Sequence, residues 1–141
     1  MGSDSSIYLI GRIRERVHDY LMRELESYGV ADFYPSHGDI ISVLYARGDL
    51  SMTDLANAIH RDRSTVTTLV KKLIKEQYVL STANNDDRRY SIISLTEKGR
   101  ALKPIFMKIS DEMFLKEYQG VLEEEQKVFL NVLKKVFDNF E

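Results

Sequence analysis

Between Ser51 and Leu95, two short segments with helical apolar spacing follow each other across a brief turn and lead directly into a pair of strands. Few folds accommodate that succession. The first segment opens with Ser51 and has Asp54 three residues on, so a hydroxyl and a carboxylate can satisfy free backbone N–H groups at a helix start. Leu55, Ala56 and Ile59 give this helix one apolar face. After a turn at His60-Arg61, Asp62 is placed to cap a second helix whose stripe is Val66, Leu69, Val70, Leu73 and Ile74. The pattern then predicts a strand over Tyr78 to Thr82, a turn over Asn84 to Asp87 and a returning strand over Tyr90 to Leu95.

The second helix leaves Arg63, Ser64, Thr65, Thr67, Thr68, Lys71 and Lys72 for its other faces, which are small, polar and basic. Short hydroxyl side chains allow close approach to phosphates or base edges in a major groove, and Arg pairs with the O6/N7 edge of guanine. From Arg61 to Lys75 five basic residues stand against one acid, a local charge of about +4 in a chain whose net charge is −2. Positive charge concentrated in this way is the footprint of electrostatic nucleic-acid binding rather than of a generally adhesive surface. A solvated helix face has the same composition, and it is the neighbouring hairpin that favours DNA. That hairpin carries Arg88 and Arg89 beside Asp86 and Asp87, and an Arg at such a tip suits a narrow minor groove.

Three pieces in this order and spacing resemble the MarR family of bacterial winged-helix regulators. They are Arg63-Ser64-Thr65-Val66-Thr67 running to Leu73, then Asp86-Asp87-Arg88-Arg89, then Leu95-Thr96-Glu97-Lys98-Gly99. The family's Asp-x-Arg wing motif is met by both Asp86-Arg88 and Asp87-Arg89, and counting back from Leu95-Thr96 favours Asp87 and Arg89. The resemblance implies that Arg61, Arg63, Ser64, Thr65, Thr67, Thr68, Lys71, Lys72, Asp87, Arg88 and Arg89 form a surface for double-stranded DNA. It implies a homodimer on a pseudo-palindromic promoter site, acting as a repressor. It also implies release by a small phenolic or anionic ligand held between the dimer layer and the winged helix. By rough position the candidates for such a crevice are Arg16, His18, His37 and Tyr45.

The remaining segments read as helices around this centre. Ile10, Ile13, Val17, Tyr20, Leu21, Leu25 and Tyr28 mark a long amphipathic helix that Gly29 ends. Pro35-Ser36 begins the next, with Ser36 as its expected cap, Ile40, Ile41, Val43, Leu44 and Tyr45 as its buried stripe and Gly48 as its stop. Leu50 is expected to add one short strand to the wing. Thr96 caps a helix that Pro104 should bend between Arg100 and Pro104. Ile105, Phe106, Ile109, Met113 and Phe114 carry the stripe on toward Tyr118, with Gly120 as the stop. A final helix opens on Glu123, Glu124 and Glu125, where the helix dipole favours acids, and presents Phe129, Val132, Leu133, Val136, Phe137 and Phe140. Two terminal helices this apolar need a partner surface, and a second copy of the chain supplies one.

The expected fold is therefore mostly α with a small β wing, a winged helix-turn-helix plus a helical dimerisation layer. Its expected division is 1–34 for dimerisation, 35–99 for DNA binding and 100–141 for dimerisation. Hydrophobic content of 43% fits a folded core, and the absence of Cys removes disulfides, thiolate metal sites and thiol chemistry. His18, His37 and His60 form no His-x-x-x-His pair, so neither a metal nor a cofactor is expected. His60, Asp62 and Ser64 lie too close in sequence to suggest a catalytic triad, and no motif points to an enzyme. No apolar run reaches the roughly 18 residues of a membrane span, which places the expected protein in the cytoplasm. The rival reading is a winged helix whose basic face meets an acidic protein instead of sequence-specific DNA.

Overall fold

In the computed structural model of this chain the backbone is described for residues 2–84 and 87–141, and the side chains for all of these except residues 84 and 87–90. The elements run α1 (Ser6–Ser27), α2 (Pro35–Arg47), β1 (Leu50–Ser51), α3 (Met52–Ile59), α4 (Arg63–Lys75), β2 (Val79–Asn84), β3 (Asp87–Leu95), α5 (Glu97–Ala101), α6 (Lys103–Glu117) and α7 (Glu123–Asp138). The fold is mostly α with a three-stranded antiparallel sheet in the order β1-β3-β2, a winged helix-turn-helix. Leu50 pairs with Ile93 and Ser51 with Ile92, so the short strand expected at Leu50 is present.

The wing strands are longer than the sequence pattern suggested. Val79 pairs with Leu95 and Ala83 with Ser91, and after an irregularity at Ala83/Asn84 the ladder reaches Asn84 opposite Asp87. Of the turn expected over Asn84 to Asp87, the two end residues belong to strands, and Asn85 and Asp86 lie outside the described residues. Polar residues at a hairpin tip read as turn, yet nothing prevents their backbone from continuing a ladder.

The chain divides into two compact units, the first ending at Ile109 and the second formed by Ser110–Glu141. In the first, Ile40, Ile41 and Leu44 of α2, Leu55 of α3, Val66, Val70 and Leu73 of α4, and Val79 and Ile93 of the sheet are buried in one cluster. Leu25 of α1 and Phe33 of the α1–α2 connection join it. Ile74, expected on the α4 stripe, is instead 39% exposed. At about 100° per residue it has turned roughly 80° away from Val66, off the buried face.

Local chemistry sets most element ends. Gly29 and Gly48 take φ of +84° and +78° after α1 and α2, where a side chain would be strained. The N-cap of α2 is Tyr34, not the expected Ser36. Pro35 occupies the first turn, and the His37 imidazole takes the reciprocal role by accepting the Tyr34 N–H at 2.8 Å on Nδ1. The bend expected between Arg100 and Pro104 is a break between two helices, α5 and α6, and Pro104 sits in the first turn of the second, where its missing N–H costs nothing. In the second unit the Leu122 N–H donates to Glu125 Oε2 at 3.1 Å at the start of α7, and no residue of α7 is buried.

Candidate nucleic-acid interface

The helix-turn-helix is built by three local devices. Ser51 Oγ accepts the Asp54 N–H at 3.1 Å and starts α3. His60 ends that helix in the left-handed region at φ 56°, and the Arg61 N–H closes back on the Ala56 carbonyl at 3.1 Å. Asp62 Oδ1 then accepts the Thr65 N–H at 2.7 Å and the Ser64 hydroxyl at 3.2 Å. Hydrogen bonds from Thr65 hold the Asp62 carboxyl below its ordinary range, so the one acid of this segment stays ionised as the cap of α4.

With Val66, Leu69, Val70 and Leu73 buried, α4 turns the opposite side outward, and Arg63, Ser64, Thr65, Thr68 and Lys71 are exposed there or at its margins. Ser64, Thr68 and Lys71 follow one another at four and three residues and so share one line along the helix. Thr67 is half-buried. The Thr67 hydroxyl donates to the Arg63 carbonyl at 2.8 Å and the Thr68 hydroxyl to the Ser64 carbonyl at 3.2 Å. With their protons directed into the helix, both hydroxyls offer lone pairs outward, as acceptors for base amino groups.

Two of the expected contacts also bond within the chain. Arg61, exposed at the turn, donates from Nη2 to Ser36 Oγ of α2 at 3.4 Å. Lys72 is half-buried, its ammonium donating to the Asp32 carbonyl and lying 5.5 Å from the centre of the Tyr34 ring. Asp87, Arg88 and Arg89 fall in β3, and their side chains lie outside the described residues.

The four crevice candidates are not brought together. Arg16 is exposed and His18 half-buried, and a two-residue step on a helix turns them to different sides. His37 and Tyr45 lie about 12 Å apart along α2 at 1.5 Å per residue. Both are committed to the fold: His37 is buried as the α2 cap, and the Tyr45 hydroxyl donates to the Gly99 carbonyl at 2.6 Å. Burial pushes the Tyr45 hydroxyl up to about 12. What the sequence reading missed is Asp39, whose carboxyl burial pushes up while His18, Arg61 and Arg14 pull it back. These charges gather around α2 from α1 and the α3–α4 turn, a proximity with no signal in local spacing.

Burial, and secondarily the Lys72 charge, lowers the His37 pKa from 6.5. The unfolded chain therefore binds a proton in a range where the folded chain does not, and the stabilisation present above pH 6.5 is lost as pH falls below it. Urea midpoints are expected to fall between pH 7 and pH 5, and His37→Gln is expected to flatten that slope. An unchanged slope in the variant would assign the effect to other groups.

Comparison with known proteins fixes the family. The model of the MarR family matches residues 33–90, which hold α2, the helix-turn-helix and the start of β3. The HTH-type transcriptional regulator SarZ of Staphylococcus haemolyticus is 32% identical over 100 residues, covering 71% of this chain and 67% of that protein. The chain belongs to the MarR family. SarZ of Staphylococcus aureus is 35% identical over 92 residues, covering 65% of this chain and 62% of its own length. The chain thus aligns with about two thirds of the length of these curated relatives. The structure of the S. aureus MepR–DNA complex superposes with a TM-score of 0.88 at 26% identity, covering 97% of this chain and 99% of that one. This MarR-family protein is a transcriptional regulator with a DNA-binding winged helix, and its relatives are named as regulators rather than enzymes. Among the described residues no helix is long and apolar enough to cross a membrane.

Proposed function

We propose that this protein is a homodimeric repressor that binds a pseudo-palindromic promoter site in the cytoplasm. The observation that carries the reading is the exposed line Ser64, Thr68 and Lys71 on α4, set opposite the buried stripe and flanked by Arg63 and Thr65. Lys and Arg neutralise phosphates, the N-terminal half of α4 reads base edges in the major groove, and Arg89, with Arg88 and Asp87 beside it, steadies the complex in the minor groove. The solved DNA complex of MepR supports this docking. Residues 1–34 and 100–141 serve dimerisation, and residues 35–99 serve DNA binding. An effector, phenolic or anionic by the family resemblance, releases the DNA by binding the two dimer states unequally.

The test is selection of bound sequences from a random duplex pool, followed by titration at several salt concentrations. The expected result is an inverted repeat with half-sites about one helical turn apart. Lys71→Ala is expected to weaken binding to all sequences and to lower the salt slope by about 0.9, the share of one phosphate contact. Recovery of no preferred sequence would overturn the reading in favour of a protein-contact module.

A further inference from the structure

Six side chains form an unbroken stack that crosses the first unit. The Lys72 ammonium lies 5.5 Å from the Tyr34 ring centre, and Tyr34 is stacked on His37 with centroids 5.5 Å apart and planes 17° from parallel. His37 meets Phe33 at 5.5 Å, Phe33 meets Tyr78 edge-on at 5.2 Å, and the Lys98 ammonium lies 4.4 Å from the Tyr78 ring centre. Backbone bonds tie down both ends and the middle. Lys72 donates to the Asp32 carbonyl, Lys98 donates to the Glu76 carbonyl at 2.8 Å, and the Tyr34 N–H donates to His37 at 2.8 Å. The stack thus joins the α1–α2 connection, the first turn of α2, the last turns of α4, the α4–β2 turn and α5.

Its composition separates packing from placement. Phe33, His37 and Tyr78 are buried and belong to the core, but Tyr34 is 68% exposed and Lys72 sits at the solvent edge. A ring that exposed adds little to core burial, yet together with the Asp32 carbonyl it holds an α4 cation that reaches back across the connection. An ammonium bonded to the Asp32 carbonyl and lying near the Tyr34 ring is directed toward the connection rather than along the line of Ser64, Thr68 and Lys71.

We propose that Lys72 and Tyr34 are positioning residues for DNA binding: they fix the orientation of α4 against the connection that follows α1, and Lys72 is not one of the phosphate contacts. The proposal rests on the reading of α4 as the recognition helix. A helix that reads base edges must be held in one attitude, and a clamp on its C-terminal turns constrains the tilt of its N-terminal half.

The experiment compares Lys72→Met, Tyr34→Ala, the double variant and Lys71→Met on the inverted-repeat duplex recovered by selection, at four salt concentrations. Thermal melts confirm that each variant is folded. Lys72→Met and Tyr34→Ala are each expected to weaken binding roughly tenfold, the equivalent of one cation–π and hydrogen-bond clamp, with an unchanged salt slope. The double variant is expected to be little worse than either, because both remove one contact. Lys71→Met serves as the contrast, losing about 0.9 from the slope. The His37 ring resonances give a readout that needs no DNA, since Lys72→Met is expected to raise the pH at which they titrate. A drop in slope for Lys72→Met with Tyr34→Ala neutral would make Lys72 a phosphate contact and overturn the proposal, as would unchanged affinity in both variants. Wild-type protein that binds no duplex would overturn the DNA-binding reading as well, which tells the two failures apart.

Discussion

Replacing Gly99 with alanine is expected to lower the unfolding free energy by about 3 kcal/mol, near the upper end of overpacking costs, and the melting temperature by roughly 10 °C. The reason is contact rather than backbone freedom. A Cβ on Gly99 would stand 2.2 Å from the Tyr78 carbonyl oxygen and 3.2 Å from its carbon, with Leu95 Cδ2 at 3.1 Å. The Tyr78 carbonyl is not free to withdraw. The Tyr78 oxygen already accepts from the Thr96 N–H at 3.1 Å, while Thr96 Oγ1 lies 2.6 Å from the Gln77 carbonyl and accepts the Gly99 N–H at 3.0 Å. On the other side, the Gly99 carbonyl is held at 2.6 Å by the Tyr45 hydroxyl of α2. The insertion must displace α5 from the α4–β2 turn or open that turn, and either shift reaches the end of α4. Urea unfolding followed by circular dichroism measures the effect. A loss below about 0.5 kcal/mol, the range of ordinary surface substitutions, would show that the turn yields without cost.

Gly99 also shows where sequence reading stops. Leu95-Thr96-Glu97-Lys98-Gly99 was legible as a family signature and Thr96 as a helix cap, because capping is local. That the glycine is a point of close approach to Tyr78, twenty-one residues earlier, depends on how the hairpin returns. The same division runs through the interface. Ser51 and Asp62 cap as expected since their partners lie three residues on. Ser36 lost that role to Tyr34 because an imidazole outside the usual capping residues completes the turn from His37. Lys72 has the composition of a phosphate contact, and the Asp32 carbonyl and Tyr34 ring come to it only through the fold. Of the residues plausible as ligand contacts by type, His37 bonds a backbone N–H three residues back, whereas Tyr45 bonds the Gly99 carbonyl, a partner that local spacing cannot place beside it.

Glutamate at both Phe129 and Phe137 is expected to convert the proposed dimer to a monomer and to weaken duplex binding by about 100-fold, the loss of one tethered half-site. Phe129, Val132, Leu133, Val136, Phe137 and Phe140 recur along α7 and its end at three and four residues, the spacing of one helix face. In a lone chain four of these six side chains, Phe129, Val132, Phe137 and Phe140, stay exposed, and Leu133 and Val136 are half-buried. Phe129 is 44% exposed, Val132 48% and Phe137 59%, and α7 buries no residue at all. At the other end of the chain Ile7, Leu9 and Ile13 of α1 are each at least half exposed. Apolar surface of this extent is costly in water, roughly 25 cal/mol for each Å² left uncovered, and a second copy brings an identical surface through a two-fold axis. Because the substituted side chains are not buried within the chain, the helices should survive the change, which circular dichroism can verify. Sedimentation velocity then reads the assembly directly. A variant still dimeric at micromolar concentration would move the interface off α7, and a monomeric wild type would leave each recognition helix to bind its half-site alone.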